Sequence, residues 1–329
     1  MKKRGIGYGC MMYAIGFGFG RPDNSAVSVE VGEDGTVTVL SGCADMGQGS
    51  TEMIALIVAE ELGILPEDVQ VLTADTATTP DAGPSTASRQ TYVTGHAAKK
   101  AAADVKESLI DSAAELLGVD PQGITFRKRQ VYYNGEKTHL SMAEVAAYCR
   151  RSGRKAIGWG WHNITTPDVD PETNQGEAYA AYTFAAHVAE VEVDTETGEV
   201  TVLRVVAAND VGKSINPLAV EGQMEGGVAM GLGQALIEEV ILDRGRPLTP
   251  TLAEYLIPTA KDVPHEVVSL IVEEEDPTGP FGAKGVGEPA NIPTAPAIIN
   301  AIANAVGVRI TELPATPEKV RQLLREKGN

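Results

Sequence analysis

Apolar and polar residues alternate from early in the chain. Val27-Ser28-Val29-Glu30-Val31 and Thr36-Val37-Thr38-Val39-Leu40 have period two around Glu33-Asp34-Gly35, which predicts an antiparallel hairpin with one buried face. The return strand enters a glycine-rich turn, Ser41 to Ser50. There the period lengthens, and Met53, Ile54, Ile57, Val58 and Leu62 share one helical face. A strand over 68–75 follows, then a hydroxyl-rich loop from Thr76 to Thr94 and an alanine-rich helix from His96 to Leu117. Short strands at Ile124–Phe126 and Val131–Tyr133 precede a helix opened by the capping box Ser141-Met142-Ala143-Glu144. From Arg150 to Glu177 glycine, proline and asparagine interrupt every pattern.

The hairpin then recurs. Val188-Ala189-Glu190-Val191-Glu192-Val193, a Glu196-Thr197-Gly198 turn and Glu199-Val200-Thr201-Val202-Leu203 repeat it, Leu203 falling 163 residues after Leu40. Asn209-Asp210-Val211-Gly212 echoes Asp45-Met46-Gly47, and a glycine-punctuated helix runs from about Leu218 to Glu238. After loop and strand over 250–275 comes the turn Gly282-Ala283-Lys284-Gly285-Val286-Gly287-Glu288-Pro289. An apolar helix from Thr294 to Val306 and a short one with Thr316 as N-cap complete the chain. The pattern predicts an α+β fold of two pseudo-repeated β-hairpin/helix subdomains with a ligand between them. Residues 1–150 form the first half, 151–178 a connector and 179–329 the second half.

Composition narrows the function. Of 329 residues 43% are hydrophobic and 22% charged, as in a soluble globular protein, and the formal net charge of -18 with no basic cluster argues against a nucleic-acid partner. Three scattered cysteines, Cys10, Cys43 and Cys149, exclude a self-contained four-cysteine metal site and fit a reducing compartment. Lys2-Lys3-Arg4 and the glycine-rich residues 5–20 imitate a secretory signal, but no leucine-rich core or Ala-x-Ala site follows, and no apolar run is long enough to span a bilayer. A cytoplasmic protein without membrane contact is expected.

Candidate chemistry sits in the turns. The turns around Gly47-Gln48-Gly49 and Asp210-Val211-Gly212 offer backbone N–H groups to an anion. In the loop, Arg89 is suited either to a phosphate or to pairing with an acid. Tyr8, Tyr13, Phe17 and Phe19 lie among glycines that would let a planar ligand approach a strand, or mark a packed edge strand. Gly212-Lys213-Ser214 lacks the leading glycine of a P-loop, Ala207 standing in its place, and no Gly-x-Ser-x-Gly elbow exists. None of the five histidines has a second His or Cys at ligand spacing, so they are read as structural or surface groups.

These motifs carry a resemblance. Met46-Gly47-Gln48-Gly49, Thr86-Ala87-Ser88-Arg89, Ile215-Asn216-Pro217 with Glu221-Gly222-Gln223, Gly231-Leu232-Gly233 and Val286-Gly287-Glu288-Pro289 occur in this order in molybdenum hydroxylases of the xanthine dehydrogenase and aldehyde oxidoreductase family. The chain resembles the C-terminal half of their molybdopterin-binding region, encoded as a separate subunit as in nicotinate dehydrogenases. The resemblance implies a molybdopterin cofactor, as the cytosine dinucleotide, with molybdenum and a terminal sulfido or selenido ligand. It puts Gly47, Gln48, Gly49, Thr86, Ala87, Ser88, Arg89 and Gln223 at the cofactor, with the Ala87 backbone near the metal and no side-chain ligand. Glu288 becomes the general base in hydroxylation of an electron-poor carbon, as in an aromatic N-heterocycle, and Tyr13 or Phe17 the pocket aromatic. Implied partners are a large molybdopterin-binding subunit, a 2Fe-2S subunit and an FAD subunit, with a small-molecule substrate. A non-catalytic scaffold or cofactor-insertion protein of the same fold is the alternative.

Overall fold

The computed structural model describes residues 1–328. Strand β1 (Lys2–Ala14) precedes the hairpin β2 (Asp23–Val31) and β3 (Val37–Ser41), helix α1 (Ser50–Leu62), strand β4 (Val69–Thr73) and helix α2 (Gln90–Leu117). A meander of β5 (Ile124–Arg127), β6 (Gln130–Tyr133) and β7 (Glu136–Ser141) leads through α3 (Met142–Arg151) to β8 (Ile157–Ile164). The second hairpin is β9 (Tyr182–Asp194) and β10 (Val200–Asp210), followed by α4 (Pro217–Leu236). A small ladder of β11 (Leu242–Asp243) and β12 (Arg246–Pro247), strand β13 (Glu266–Val272), and helices α5 (Thr294–Val306) and α6 (Pro317–Gly328) complete the chain.

The chain divides into two compact units. One comprises residues 14–181 and 275–285; the other is interrupted in sequence, comprising 1–13, 182–274 and the chain from 286 on. Each contains the hairpin the alternation predicts. Val29 lies opposite Val39 in β2–β3, and Val202 opposite Val191 in β9–β10. The repeat extends further than the sequence suggests. In each unit the hairpin feeds a helix and then a strand parallel to its second arm, β4 beside β3 and β13 beside β10. The sheets run β4-β3-β2-β8 and β13-β10-β9-β1, two matching orders in an α+β fold.

A shared device closes each sheet against a helix. In the interrupted unit Gly5, Gly7 and Gly9 alternate along β1, and a Cβ on Gly7 would stand 2.1 Å from the Ala301 nitrogen of α5. In the other unit Gly158 and Gly160 of β8 meet α2, where a Cβ on Gly160 would stand 1.9 Å from the Ala97 carbonyl oxygen. On the opposite faces of these strands, Ile6, Tyr8, Trp159 and Trp161 are exposed. The β1 glycines therefore admit a helix, where the sequence left a planar ligand or a packed edge strand open. The core of the interrupted unit gathers Val191, Val205, Met224, Val228, Ile298 and Ile302, each essentially inaccessible. Full burial of one such side chain contributes roughly 1.5–3 kcal/mol.

Three expectations need correction. Residues 151–178, read as a connector, contain β8, which pairs with β2 along its length and belongs to the unit of residues 14–181. Its alternating glycines and tryptophans hide a strand whose inner face needs no side chain. Residues 1–13, read as part of the first half, belong with 182–274. Helix α2 starts at Gln90 rather than His96, because Arg89 closes the loop as its N-cap residue.

Candidate functional site

The turn before α1 is organised by Asp45. One carboxylate oxygen accepts from the N–H of Gly47 (2.9 Å) and Gly49 (3.3 Å), the other from Thr51 (2.9 Å). Burial pushes the Asp45 carboxyl upward, but these hydrogen bonds outweigh it and hold it below the usual carboxylate range. Gln48 braces the same turn, donating to the Ala44 carbonyl (2.8 Å) and Ser50 Oγ (3.1 Å) and accepting from the Met46 N–H (2.6 Å). Several of the N–H groups expected to meet an anionic ligand are thus taken by an internal carboxylate. Gly47 and Gly49 take positive φ, 105° and 81°, and an added Cβ on either would meet nothing within 4 Å. The turn therefore presents a bare backbone surface.

The second group is the loop before α2. Ala87 and Ser88 both adopt left-handed backbone, φ 54° and 47°. The Ser88 carbonyl lies against Gly285, where a Cβ would stand 1.9 Å from its oxygen. Thr86 is exposed and Ala87 half-buried. Arg89 is fully buried, pairs with Asp23, and donates to the carbonyls of Ala82, Pro84 and Asn24. Of the two sequence readings of Arg89, the acid pair is the one observed, and four of its five N–H donors are spent inside the protein. Phe17 belongs to this unit and Tyr13 to the other.

Glu288, in the interrupted unit, opens a single 3₁₀ turn, Glu288–Ala290, ahead of α5. Its side chain is half-buried. The turn is anchored by a buried relay that sequence reasoning missed. Asn209 Nδ2 donates to the Pro289 carbonyl (3.1 Å), Asn209 Oδ1 lies 3.0 Å from His187 Nε2, and His187 Nδ1 lies 2.8 Å from Thr294 Oγ1. Burial pushes the His187 imidazole down, which favours its neutral form. Nε2–H then donates to Asn209 and Nδ1 accepts from Thr294. The available signal was the place of Asn209 in the repeat beside Asp45. Gln223 is half-buried on α4, where a Cβ on its neighbour Gly222 or on Gly226 would meet nothing within 4 Å.

Other candidates resolve differently. Lys213 pairs with Glu273, whose carboxylate also takes the Ser214 N–H, so the P-loop look-alike is an ordinary ion-pair turn. His96 and His162, far apart in sequence, bring their rings within 4.4 Å, yet no three His, Cys, Asp or Glu side chains among the described residues converge as a metal site. A cavity of about 550 Å³ beside β1 is lined by Ile6, Tyr8, Asn300, Asn304 and Arg309; of the aromatic candidates it takes in Tyr8, and it holds none of the residues assigned to cofactor or catalysis. No helix among the described residues is long and apolar enough to cross a membrane.

Comparison with known proteins shows the family. Residues 1–264 match the family model of the molybdopterin cofactor-binding domain. The chain is 33% identical over 97% of its length to the 6-hydroxypseudooxynicotine dehydrogenase complex subunit gamma of Paenarthrobacter nicotinovorans, covering 39% of that protein. It is also 33% identical over 97% of its length to the xanthine dehydrogenase molybdenum-binding subunit of Escherichia coli, covering 42% of it. Among solved structures, quinoline 2-oxidoreductase from Pseudomonas putida 86 superposes with a TM-score of 0.86 at 29% identity, over 99% of this chain and 42% of that one. Aldehyde oxidoreductase from Desulfovibrio desulfuricans gives 0.80 at 34% identity, over 98% and 32%. The chain thus spans about two-fifths of the length of the two relatives it resembles in sequence.

Proposed function

The chain belongs to the molybdopterin cofactor-binding family of the molybdenum hydroxylases, an enzyme family, and from that premise we propose that it carries the general base for hydroxylation of an electron-poor carbon, with water as the oxygen source. The observation that carries this reading is Glu288, a half-buried carboxylate on a turn whose Pro289 carbonyl is tethered by Asn209, His187 and Thr294. A carboxylate carried on a backbone turn anchored in this way suits the positional demand on a general base.

Two features support the fit of a molybdopterin. In one unit the backbone at Gly47 and Gly49 and, in the other, taken by itself, the face of α4 at Gly222 and Gly226 would each leave an added Cβ without a neighbour within 4 Å, which permits close approach of a flat polar ligand. Among the described residues no three His, Cys, Asp or Glu side chains converge, while Thr86, Ser88 and Gln223 supply hydroxyls and an amide, which suits a metal arriving on its own organic ligand. When bound, the cofactor, in our reading the cytosine dinucleotide form with a terminal sulfido or selenido ligand, supplies the two-electron redox chemistry. Thr86, Ser88 and Gln223 would hold it through their polar groups, with the Ala87 backbone assigned to the metal side. Gln48 and Asp45 keep their turn in shape. Glu288 takes, on a carboxylate oxygen, the proton of the attacking hydroxyl group. Tyr13 or Phe17 stacks on the substrate ring.

We read the substrate as an aromatic N-heterocycle, because one of the named relatives acts on quinoline and another is called a xanthine dehydrogenase molybdenum-binding subunit. The rest of the pocket and the electron path are assigned to a large molybdopterin-binding subunit, a 2Fe-2S subunit and an FAD subunit. That the two sequence relatives are themselves named as subunits supports this assignment. Unpaired Cys10, Cys43 and Cys149 support a cytoplasmic setting. In the native complex Glu288→Gln is expected to keep its molybdenum while turnover of an N-heterocycle falls by roughly 10²–10⁴-fold. Near-normal turnover in the metal-replete variant refutes the assignment, and a native complex with neither molybdenum nor pterin identifies a scaffold instead.

A further inference from the structure

We propose that Arg89 and Asp23 form a positioning pair that holds Phe17 and the Thr86-Ala87-Ser88 turn in one arrangement, and that through them Arg89 governs how substrate fits its pocket. The second half of this proposal rests on the pocket assigned above; the first stands on geometry alone.

Three separate segments converge on the pair. Arg89 is 0% exposed and Asp23 2%. Arg89 Nε donates to Asp23 Oδ1, Nη1 to the carbonyls of Ala82 (2.7 Å) and Pro84 (3.1 Å), and Nη2 to that of Asn24 (2.7 Å). Asp23 Oδ2 accepts the Phe17 N–H at 2.9 Å, and the Phe17 ring centroid lies 5.5 Å from Arg89 Cζ. The neighbouring Gly16 N–H donates to the Ala87 carbonyl at 3.1 Å, which ties the aromatic segment directly to the left-handed turn. Two glycines make room for the charges. A Cβ on Gly16 would stand 2.3 Å from Asp23 Oδ2, and one on Gly83 2.9 Å from Arg89 Nη1.

Stability alone does not account for such a pair. A buried ion pair gains little over apolar residues of the same volume, because both charges must leave water, whereas a planar five-donor group can specify several backbone positions at once. Ala87 and Ser88 sit in a conformation that non-glycine residues keep only where the surroundings impose it. Here those surroundings are Gly285 on one side and, through Gly16 and Asp23, the Arg89 network on the other.

The test uses the native complex with Arg89→Lys, which keeps the charge but loses the fork. Amide exchange over residues 14–20 and 82–88 is expected to accelerate roughly tenfold or more, with α1 and the β2–β3 hairpin unchanged. The KM for an N-heterocycle is expected to rise roughly tenfold with kcat per molybdenum changed less than about threefold. Unchanged exchange in both segments overturns the positioning pair. Accelerated exchange with an unchanged KM overturns its role in substrate fit. Should the lysine variant not assemble, Asp23→Asn with Arg89→Gln removes both charges and is read by the same two measurements. Phe17→Leu leaves the pair intact; if it leaves the KM untouched, the pocket assignment fails while the exchange result still decides the pair.

Discussion

Single side chains carry the sharpest expectations. Asn209→Ala strips a donor from the Pro289 carbonyl and an acceptor from His187, both buried. A loss of roughly 1–3 kcal/mol for each group left unsatisfied is expected in urea unfolding, with reduced turnover as the Glu288 turn loosens. A pH response is expected from His162. Burial pushes its pKa down to about 4 from 6.5, assisted by His96 and Lys100 and opposed by Asp23. The unfolded chain then binds a proton that the folded one refuses, so His162 is expected to cost stability as pH falls from about 6.5 towards 4. Melting temperature against pH checks this, and His162→Gln should flatten that part of the profile. At this scale the motifs were legible as positions, but not the partners their side chains find inside the fold. Gln48 and Arg89 stand where the motifs put them, yet their donors turn inward, because which partner a polar group finds depends on chain segments far away in sequence.

Elements were legible wherever one face is wet and the other dry. The two hairpins and α1 follow directly from their alternation. Strand β8 escaped because its dry face is glycine, so no apolar residue marks the buried positions; the same absence made β1 look like a ligand platform. The glycines give a direct prediction. Gly7→Ala and Gly160→Ala each drive a methyl group into helix backbone, at 2.1 Å from the Ala301 nitrogen and 1.9 Å from the Ala97 carbonyl oxygen. A cost of roughly 1–3 kcal/mol or more is expected in thermal unfolding. Gly135→Ala, which meets no neighbour, is the control: only its positive φ of 83° is strained there.

At the scale of the whole molecule the repeat was visible in the sequence, but the sorting of the chain between the units was not. No pattern in residues 1–13 announces that their sheet neighbour β9 begins at Tyr182, since that pairing is settled by packing on α5 rather than by local preference. The interruption has a consequence in time. Lys2 pairs with Glu192, 190 residues downstream. At a synthesis rate of roughly 5–20 residues per second, β1 waits about 10–40 s for β9 and longer for the helix that covers its glycines. Residues 14–181 are all made within that wait. In ribosome-bound chains arrested shortly after residue 285 has emerged, that unit should resist protease while β1 remains cleavable. A first strand so rich in glycine is a weak β-former, and during those seconds weakness is protective: a strand of ordinary valine and isoleucine, idle for so long, would be free to pair with a neighbouring nascent chain.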